Sequence, residues 1–411
     1  MKYILVIGDG MADNPIDELG GITPLEKVSK PEIDKIAAKG IVGSTLTVPE
    51  GLPPGSDTAI LSVFGYNPTK FYSGRAPLEA AGSGVELKSG NVSYRCNLVA
   101  IDGDAGIPLK QRRMLSHSAG SIEPDNALAL MGALMENREF KTKADALGMS
   151  FQINPSFRHL AVQKSADMQG FSATPPHDIV GQEIGSFLPT GCKNAEDLKE
   201  LMIIAGGILE DHPINIAKRQ KGQMPANLIW FWAEGTAIEL PPFFGKYGKK
   251  GSVVSAVPLV WGIASLAGLK PVHVEGATGM LDTNYEGKVD ALINALKSGD
   301  DFAAIHIEAP DECSHDGNLE EKLEAISRLD GRVIGPIVRR MAEEGMDFRL
   351  LMLSDHKTLL STRTHDGDPV PYLIYDSRED SLEGLSYCER AADGKNYIAD
   401  ASNLMSLLFS K

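Results

Sequence analysis

The sequence predicts an α/β protein with a mostly parallel sheet and helices on both faces. Short apolar runs such as 3–7, 302–307 and 350–353 have the character of strands buried on both sides. They alternate with helical segments of about ten or more residues, which is the pattern of parallel strands joined by crossover helices. The chain has 411 residues, more than one hydrophobic core usually fills, so a second domain is expected.

Local signals define the elements of the N-terminal part. A helix is expected at 31–39, because Pro31 suits the first turn of a helix and Gly40 suits its end. Residues 41–48 alternate like a strand. A second helix is expected from Ser56 to Phe64, after a stiff loop rich in glycine and proline.

From residue 227 onward, strands and helices alternate again. The strands expected there are 228–232, 252–257, 271–275, 302–307 and 350–353. The helices expected there are 259–267, 285–297 and 319–344.

The segment between these two parts has a different pattern. Strand-like pieces at 94–101 and 151–164 alternate with polar loops and a helix near 126–137. We therefore expect a smaller α+β domain at 97–220, inserted into a discontinuous catalytic domain that consists of 1–96 and 221–411.

Composition excludes some partners. The net charge of -15 argues against nucleic acid or an anionic membrane as the main partner, because both attract a basic face. The 4 cysteines form no CxxC pair, and no apolar stretch approaches the roughly 18 residues that span a bilayer. We expect a cytoplasmic protein, and the sequence leaves its oligomeric state open.

Seven residues predict a single site for two metal ions. Three aspartates follow predicted strands, whose carboxyl ends meet at one edge of a parallel sheet. An aspartate and a histidine four residues apart would share one face of a helical turn and could bind one ion. Taken singly, each of these residues also has an ordinary structural explanation: an aspartate in a turn, an exposed histidine, or a serine that caps a helix. The seven are Asp9, Ser56, Asp311, His315, Asp355, His356 and His365.

Ser56 is the candidate nucleophile of this site. A serine hydroxyl is a weak nucleophile, but metal coordination and a helix N-terminus both favour its ionised form. Oxygen and nitrogen ligands without thiolate suit Mn, Zn, Co or Mg. The residue types therefore indicate metal-assisted phosphoryl transfer.

Eight motifs, in this order, give the chain its resemblance to a known family. They are Gly8-Asp-Gly-Met11, Pro53-Pro-Gly-Ser-Asp-Thr-Ala59, Ser73-Gly-Arg-Ala-Pro77, Val274-Glu-Gly-Ala-Thr-Gly279, Asp282-Thr-Asn-Tyr285, Asp311 to His315, Ser354-Asp-His356 and His365 to Pro371. Over nearly its whole length the chain resembles the cofactor-independent phosphoglycerate mutases of the archaeal type, within the alkaline phosphatase superfamily. The resemblance implies an alkaline-phosphatase-like fold and the interconversion of 2- and 3-phosphoglycerate, a small phosphorylated metabolite.

The resemblance also implies roles for individual residues. Ser56 would become phosphoserine, with two divalent ions and with neither bisphosphoglycerate nor a nucleotide as cofactor. The inserted domain would bind the rest of the substrate. One ion would be held by Asp9, Ser56, Asp355 and His356, and the other by Asp311, His315 and His365; the substrate contacts would be Arg158, His159, His177 and Asp178.

Two segments depart from the family pattern and keep other functions open. Aromatic residues occupy 229–235, where the mutases carry an arginine, and the basic motif at 112–117 is altered. The alternatives on the same core are a homoserine kinase, as proposed for a similar bacterial branch, and a metal-dependent phosphomonoesterase. A non-enzymatic binding protein with a relic site is a further alternative. The chain has no GxxxxGK[ST] loop, so a kinase activity would have to use the phosphoserine site.

Overall fold

The computed structural model describes residues 1–103, 106–379 and 384–410. Within it the chain forms two compact units. The first unit comprises Met1–Tyr72, Ala81–Ser83 and Glu239–Lys411, and the second comprises Ser73–Ala80 and Gly84–Ile238.

Strands and helices alternate along most of the described chain. The strands are β1 (Lys2–Gly8), β2 (Ile41–Thr45), β3 (Val92–Ile101), β4 (Met114–Ser116), β5 (Met149–Gln152), β6 (Arg158–Gln163), β7 (Leu228–Thr236), β8 (Gly251–Val254), β9 (Lys270–Val272), β10 (Phe302–Ile307), β11 (Phe348–Leu353), β12 (Lys357–Leu359), β13 (Thr364–Asp366) and β14 (Val370–Asp376). The helices are α1 (Pro24–Lys27), α2 (Pro31–Ala37), α3 (Ser56–Val63), α4 (Pro68–Phe71), α5 (Arg75–Gly82), α6 (Pro124–Glu136), α7 (Arg138–Ala146), α8 (Lys193–Glu210), α9 (Pro213–Gln220), α10 (Phe243–Tyr247), α11 (Pro258–Leu266), α12 (Tyr285–Lys297), α13 (Ala309–His315), α14 (Leu319–Arg328), α15 (Gly335–Glu343), α16 (Glu389–Ala392) and α17 (Leu404–Phe409).

The first unit is built on a seven-stranded sheet with the order β2-β14-β11-β1-β10-β8-β9. β1 pairs in parallel with β10 on one side and with β11 on the other. β8 and β9 continue the parallel part. β14 is antiparallel to both of its neighbours, β11 and β2, so β14 alone runs against the other strands of this sheet. The apolar runs that the sequence marked as buried strands therefore occupy the centre of this sheet, as predicted.

Helices cover both faces of this sheet. On one face, Ile4 and Val6 of β1 belong to the same core as Leu292 of α12 and Ile337 of α15. Side chains alternate along a strand, so Tyr3 points to the opposite face, where its ring contacts Phe409 of α17 at 5.0 Å. The predicted α/β class, with a mostly parallel sheet and helices on both faces, is confirmed.

Three expectations for the elements of the chain are wrong in detail. The helix predicted at 319–344 is divided by a π-helical segment, Leu329–Ile334, just before Pro336, which has no N–H to continue a regular helix. The strand predicted at 151–164 is two strands, β5 and β6, because Pro155 lies in the turn between them. The third difference is β14, which was not among the expected strands because prolines at 369 and 371 flank its first residue.

The second unit has an antiparallel sheet. Its strand order is β4-β3-β6-β5, and β7 also pairs with β3. The helix α8, which the sequence pattern did not reveal, packs on β7. Among the described residues of the whole chain, no helix is long and apolar enough to cross a membrane. The sheet includes β7 and all of β3, which begins at Val92, so it uses residues on both sides of the predicted insert 97–220. The assignment of a separate substrate-binding role to this insert stays a prediction.

Candidate active site

Three neighbouring strand ends bring together the aspartates that the sequence singled out. β1 lies between β10 and β11, and the three strands are parallel. Asp9 directly follows β1, Asp355 lies just beyond β11, and Asp311 lies in the first turn of α13, which begins just after β10. Because the carboxyl ends of parallel strands share one edge of the sheet, these carboxylates converge.

The first group of ligand atoms surrounds the His356 ring. His356 Nε2 lies 3.2 Å from Asp355 Oδ2, 3.5 Å from Asp9 Oδ1 and 3.1 Å from Ser56 Oγ. Among the described residues, neither Asp9 Oδ1 nor Asp355 Oδ2 has a hydrogen-bond partner, although both atoms are buried. Buried carboxylate oxygens without partners are costly. A divalent cation between them would remove that cost, so the first group fits a metal ion.

The second group centres on Asp311. His365 Nε2 lies 3.4 Å from Asp311 Oδ1, and His315 Nε2 lies 3.2 Å from Asp311 Oδ2. The two Nε2 atoms of His315 and His365 are only 2.9 Å apart. His356 also belongs here, because Asp311, His356 and His365 offer ligand atoms within 4.8 Å of one another. The two groups therefore meet at His356 and fit two adjacent cations bound by oxygen and nitrogen.

Electrostatics show that this cluster accumulates negative charge. Burial and the neighbouring charges of Asp355 and Asp311 raise the pKa of Asp9 well above its usual value, and Glu308 acts in the same direction. Burial also raises the pKa of Asp311, but hydrogen bonds with His315 and His365 outweigh it and hold that pKa well below its usual range. The hydrogen bond between Asp311 and His315 also raises the pKa of His315 to about 9.

Thr358 fixes which nitrogen of His356 faces the cluster. Thr358 Oγ1 lies 2.5 Å from Asp311 Oδ1 and 3.2 Å from His356 Nδ1. An ionised carboxylate only accepts, so the Thr358 hydroxyl donates to Asp311 and must accept from His356 Nδ1–H. This leaves the lone pair of His356 Nε2 pointing toward Ser56 and the aspartates, as metal ligation requires.

Gly10 gives the carboxylates room. Its φ of +58° is in the left-handed region, and a Cβ at this position would lie 2.6 Å from Asp311 Oδ1 and 2.4 Å from Thr358 Oγ1. The Gly10 N–H donates to Asp355 Oδ1 at 3.1 Å. The glycine that follows Asp9 thus allows the close approach of backbone and side chains on which the site depends.

Ser56 is the first residue of α3, with Gly55 at the N-cap. Its side chain is half-buried, and its Oγ is one of the atoms around His356 Nε2. The partial positive charge at the N-terminus of a helix favours negative charge at this end of α3. A Ser56 oxygen that carries a phosphoryl group would therefore be stabilised by its own helix.

Three residues near the aspartates were missed by sequence reasoning. His306 donates toward Asp9 Oδ2 at 2.8 Å, Thr358 contacts Asp311, and the charge of Glu308 acts on Asp9. Only His306 carries a visible signal, because it is a polar residue in an otherwise apolar strand. Burial lowers the pKa of His306 to about 3, so its ring is neutral.

In the second unit, two of the predicted substrate contacts belong to a group that we call the cationic cluster. The His177 ring lies 5.2 Å from the Trp232 ring and 6.0 Å from the His117 ring. The Arg95 guanidinium lies 4.7 Å above Trp232. Burial, with the charges of Arg95 and Arg158 adding to it, lowers the pKa of His177. The cationic cluster comprises Arg95, His117, Arg158, His177 and Trp232.

The other two predicted contacts differ in accessibility. Asp178 is exposed beside His177, with its Oδ1 3.6 Å from His177 Nε2. His159 is buried, and its Nδ1 accepts a hydrogen bond from the Asn154 N–H at 3.1 Å. This burial favours a structural role for His159 over contact with a substrate.

A backbone irregularity sets the direction of Trp232. Ala233 has φ of 53°, and the register between β3 and β7 shifts between Ser93 and Arg95. The strand therefore bulges directly after Trp232, and bulges of this kind redirect side chains beside functional sites. The aromatic run at 229–235 gave no sign of this bulge.

Comparison with known proteins identifies the family. A family model described as 2,3-bisphosphoglycerate-independent phosphoglycerate mutase matches residues 37–215. A protein of that name from Methanosarcina acetivorans is 43% identical over 410 residues, which cover 99% of both chains. The chain belongs to the family of 2,3-bisphosphoglycerate-independent phosphoglycerate mutases.

Two further relatives extend over the same length. A probable 2,3-bisphosphoglycerate-independent phosphoglycerate mutase from Geobacter sulfurreducens is 43% identical over 416 residues and covers 100% of both chains. The solved structure of the PH0037 protein from Pyrococcus horikoshii is 28% identical, with a TM-score of 0.79 over 100% of this chain and 98% of that one. The resemblance to these mutases that the motifs indicated is confirmed, whereas the roles of the individual site residues stay predictions.

Proposed function

We propose that this chain interconverts 2-phosphoglycerate and 3-phosphoglycerate without 2,3-bisphosphoglycerate, and that Ser56 carries the phosphoryl group between the two. The observation that carries the proposal is the position of Ser56 Oγ. It lies 3.1 Å from His356 Nε2, which faces two buried carboxylates, each with one oxygen that has no hydrogen-bond partner among the described residues. Membership of the mutase family supports the choice of substrate.

Two divalent cations complete the proposed site. One is assigned to Asp9, Ser56, Asp355 and His356, and the other to Asp311, His315 and His365, with His356 close to both. Bound there, the cations would supply positive charge to the attacking and leaving oxygens of the phosphoryl group. The donor set suits Mn²⁺, Zn²⁺, Co²⁺ or Mg²⁺.

The reaction then needs two in-line transfers. In the first, Ser56 Oγ forms a bond to phosphorus while the bond from phosphorus to the substrate oxygen breaks. Ser56 loses its hydroxyl proton, and the glycerate oxygen that leaves gains one. In the second, the other hydroxyl of the retained glycerate attacks the phosphoserine and restores Ser56. The net result moves the phosphoryl group between O2 and O3. Water must be excluded between the steps, because its attack would release phosphate.

We assign recognition of the glycerate carboxylate to the cationic cluster of the second unit. Arg158 and His177 are exposed, and the pKa of His117 is lowered by burial and by the charge of Arg158. The positive charge of the exposed Arg158 attracts an anion. The guanidinium of Arg158 can bind a carboxylate through two parallel hydrogen bonds. Asp178 is retained as a weaker candidate contact, and His159 is left out because it is buried.

Replacing Ser56 tests the proposal. Ser56→Ala should abolish the conversion of 3-phosphoglycerate, followed by ³¹P NMR, and should remove the phosphorylated Ser56 peptide from mass spectra of rapidly quenched enzyme. The matched control is Ser62→Ala on the same helix, because Ser62 Oγ is buried and has no hydrogen-bond partner among the described residues. This control should keep full activity.

Two further substrates separate the alternatives. Homoserine with ATP tests the kinase, and p-nitrophenyl phosphate tests the phosphomonoesterase. Turnover of either one by Mn²⁺-loaded protein that leaves 3-phosphoglycerate unchanged would refute the proposed function. Full mutase activity in the Ser56→Ala variant would remove Ser56 from the mechanism.

A further inference from the structure

His306 occupies an unusual place for a histidine. It is the only polar residue of β10, and its side chain is 1% exposed. In the parallel pairing it lies opposite Ile7, two residues before Asp9. A buried imidazole is costly unless both of its nitrogens find partners.

Both nitrogens of His306 do find partners, and together these set the direction of each hydrogen bond. Nε2 lies 2.8 Å from Asp9 Oδ2, and Nδ1 lies 3.2 Å from Ser255 Oγ. A carboxylate that binds a cation is ionised and its oxygens can only accept, so in the metal-bound site the proton of the neutral His306 ring is on Nε2. Nδ1 must then accept from the Ser255 hydroxyl. The Ser255 oxygen is free to donate in this way, because its own acceptor side takes the Val257 N–H at 3.0 Å.

This arrangement divides the two oxygens of Asp9 between different tasks. Oδ2 is held by His306, whereas Oδ1 has no hydrogen-bond partner among the described residues and lies 3.5 Å from His356 Nε2. Asp355 shows the same division, because its Oδ1 accepts from the Gly10 N–H and its Oδ2 has no hydrogen-bond partner among the described residues. Asp9 differs because its holding group is an imidazole that can donate from either nitrogen.

The backbone around His306 and Ser255 is also held in place. Lys288 Nζ donates to the His306 carbonyl oxygen at 3.3 Å, and Trp261 Nε1 donates to the Ser255 carbonyl oxygen at 3.1 Å. Both residues that control the Asp9 carboxylate are thus anchored independently of Asp9.

We propose that His306 is a positioning residue that aims Asp9 Oδ1 at the first metal ion, and that Ser255 selects the His306 tautomer which this task needs. The inference rests on the metal centre of the proposed function. Partners of metal ligands commonly contribute tenfold to hundredfold in metal affinity. Among the described residues, the Ser255 hydroxyl is hydrogen-bonded to His306 and to the Val257 N–H but to none of the proposed ligands, so we expect its effect on metal binding to pass through His306.

Calorimetric titration of metal-free protein with Mn²⁺ tests the proposal. Ser255 is one hydrogen bond further from the metal than His306, so Ser255→Ala should weaken one of the two Mn²⁺ sites by up to about tenfold. Ser255→Thr, which keeps a hydroxyl, should recover most of that loss. The matched control is Ser252→Ala, a buried serine on β8 whose hydroxyl donates to Asp300 instead. It should bind Mn²⁺ like the wild type.

A spectroscopic measurement on the wild type does not depend on any variant folding. In Zn²⁺-loaded protein with ¹⁵N-labelled histidine, His306 should show the tautomer protonated at Nε2. The Nδ1-protonated tautomer, or an unchanged Mn²⁺ affinity in Ser255→Ala, would overturn the proposal while leaving the metal centre intact. Failure of the wild type to bind any divalent ion would instead overturn the metal centre, and the inference with it.

Discussion

Replacing Gly10 by alanine should damage both the fold and the metal centre, and its contacts set the size of the effect. The φ of +58° costs an alanine about 1–2 kcal/mol. The new Cβ would also lie 2.4 Å from Thr358 Oγ1 and 2.8 Å from Asp311 Cα. The threonine side chain can rotate, but the Asp311 backbone cannot yield without moving the start of α13. Overpacking of this kind adds about 1–3 kcal/mol.

Gly20→Ala isolates the part of this effect that comes from the site. Gly20 also has a positive φ, of +76°, and no atom of the described residues lies within 4 Å of the position of its Cβ. Both variants incur the cost of the left-handed backbone, but only Gly10→Ala meets Asp311. In urea unfolding of the metal-free proteins, Gly10→Ala should therefore be less stable than Gly20→Ala by about 1–3 kcal/mol.

Metal binding gives a second, independent measure of the same contact. A displaced Asp311 carboxylate should lower Mn²⁺ affinity in Gly10→Ala by about tenfold or more, since about 1.4 kcal/mol corresponds to a factor of ten. Gly20→Ala should bind Mn²⁺ normally. The reasoning is refuted if the two variants unfold at the same urea concentration and bind Mn²⁺ equally well.

Three other perturbations have expected outcomes. Asp9→Asn removes a negative charge from a cluster of carboxylates that repel one another, so it should raise the melting temperature of chelator-treated protein. It should also abolish the rise in melting temperature that Mn²⁺ gives the wild type. A lower melting temperature without metal would contradict this reasoning. Burial raises the pKa of Glu79, but the charge of Arg95 outweighs burial, and the pKa falls to about 2. The ionised Glu79 carboxylate therefore stabilises the folded protein above pH 4.5, and this stabilisation is lost as the pH falls toward 2. Glu79→Gln should therefore lose up to about 3 kcal/mol at pH 7 but little near pH 2, and a pH-independent difference in urea unfolding would refute the assignment. Arg158→Lys should raise the KM for 3-phosphoglycerate about tenfold or more, with a smaller change in kcat. Arg138→Lys, a control at another exposed arginine, should change neither constant. Equal KM values in the Arg158→Lys variant and the wild type would exclude Arg158 from substrate binding.

The centre of the first unit could be predicted because few residues define it. The apolar runs of β1, β10 and β11 are strands that are almost entirely buried. The residues that follow neighbouring parallel strands lie at one edge of the sheet. Asp9, Asp311 and Asp355 therefore had to lie near one another once the strands were assigned to one sheet. No comparable rule links His365 to them, because it lies on β13, a short strand with no apolar pattern.

Features that depend on tertiary contacts could not be predicted. Thr358 and Glu308 act through the neighbours that the fold gives them, and nothing in their local sequence distinguishes them from surface residues. β14 was missed because prolines disguise its start, and α8 was missed because Gly206 and Gly207 interrupt its helical pattern. The bulge at Ala233 likewise follows from pairing with β3, which the sequence of β7 alone does not reveal.

The position of β1 has a consequence for how the protein is made. β1 ends at Gly8, yet both strands that flank it in the sheet begin beyond residue 300. A growing chain must therefore keep an apolar segment without its pairing partners until most of the polypeptide has been synthesised, whereas the second unit can close within residues 73–238. Pairing over such sequence separations is slow and leaves aggregation-prone edges exposed. We expect truncated chains that stop before β11 to aggregate through the N-terminal segment.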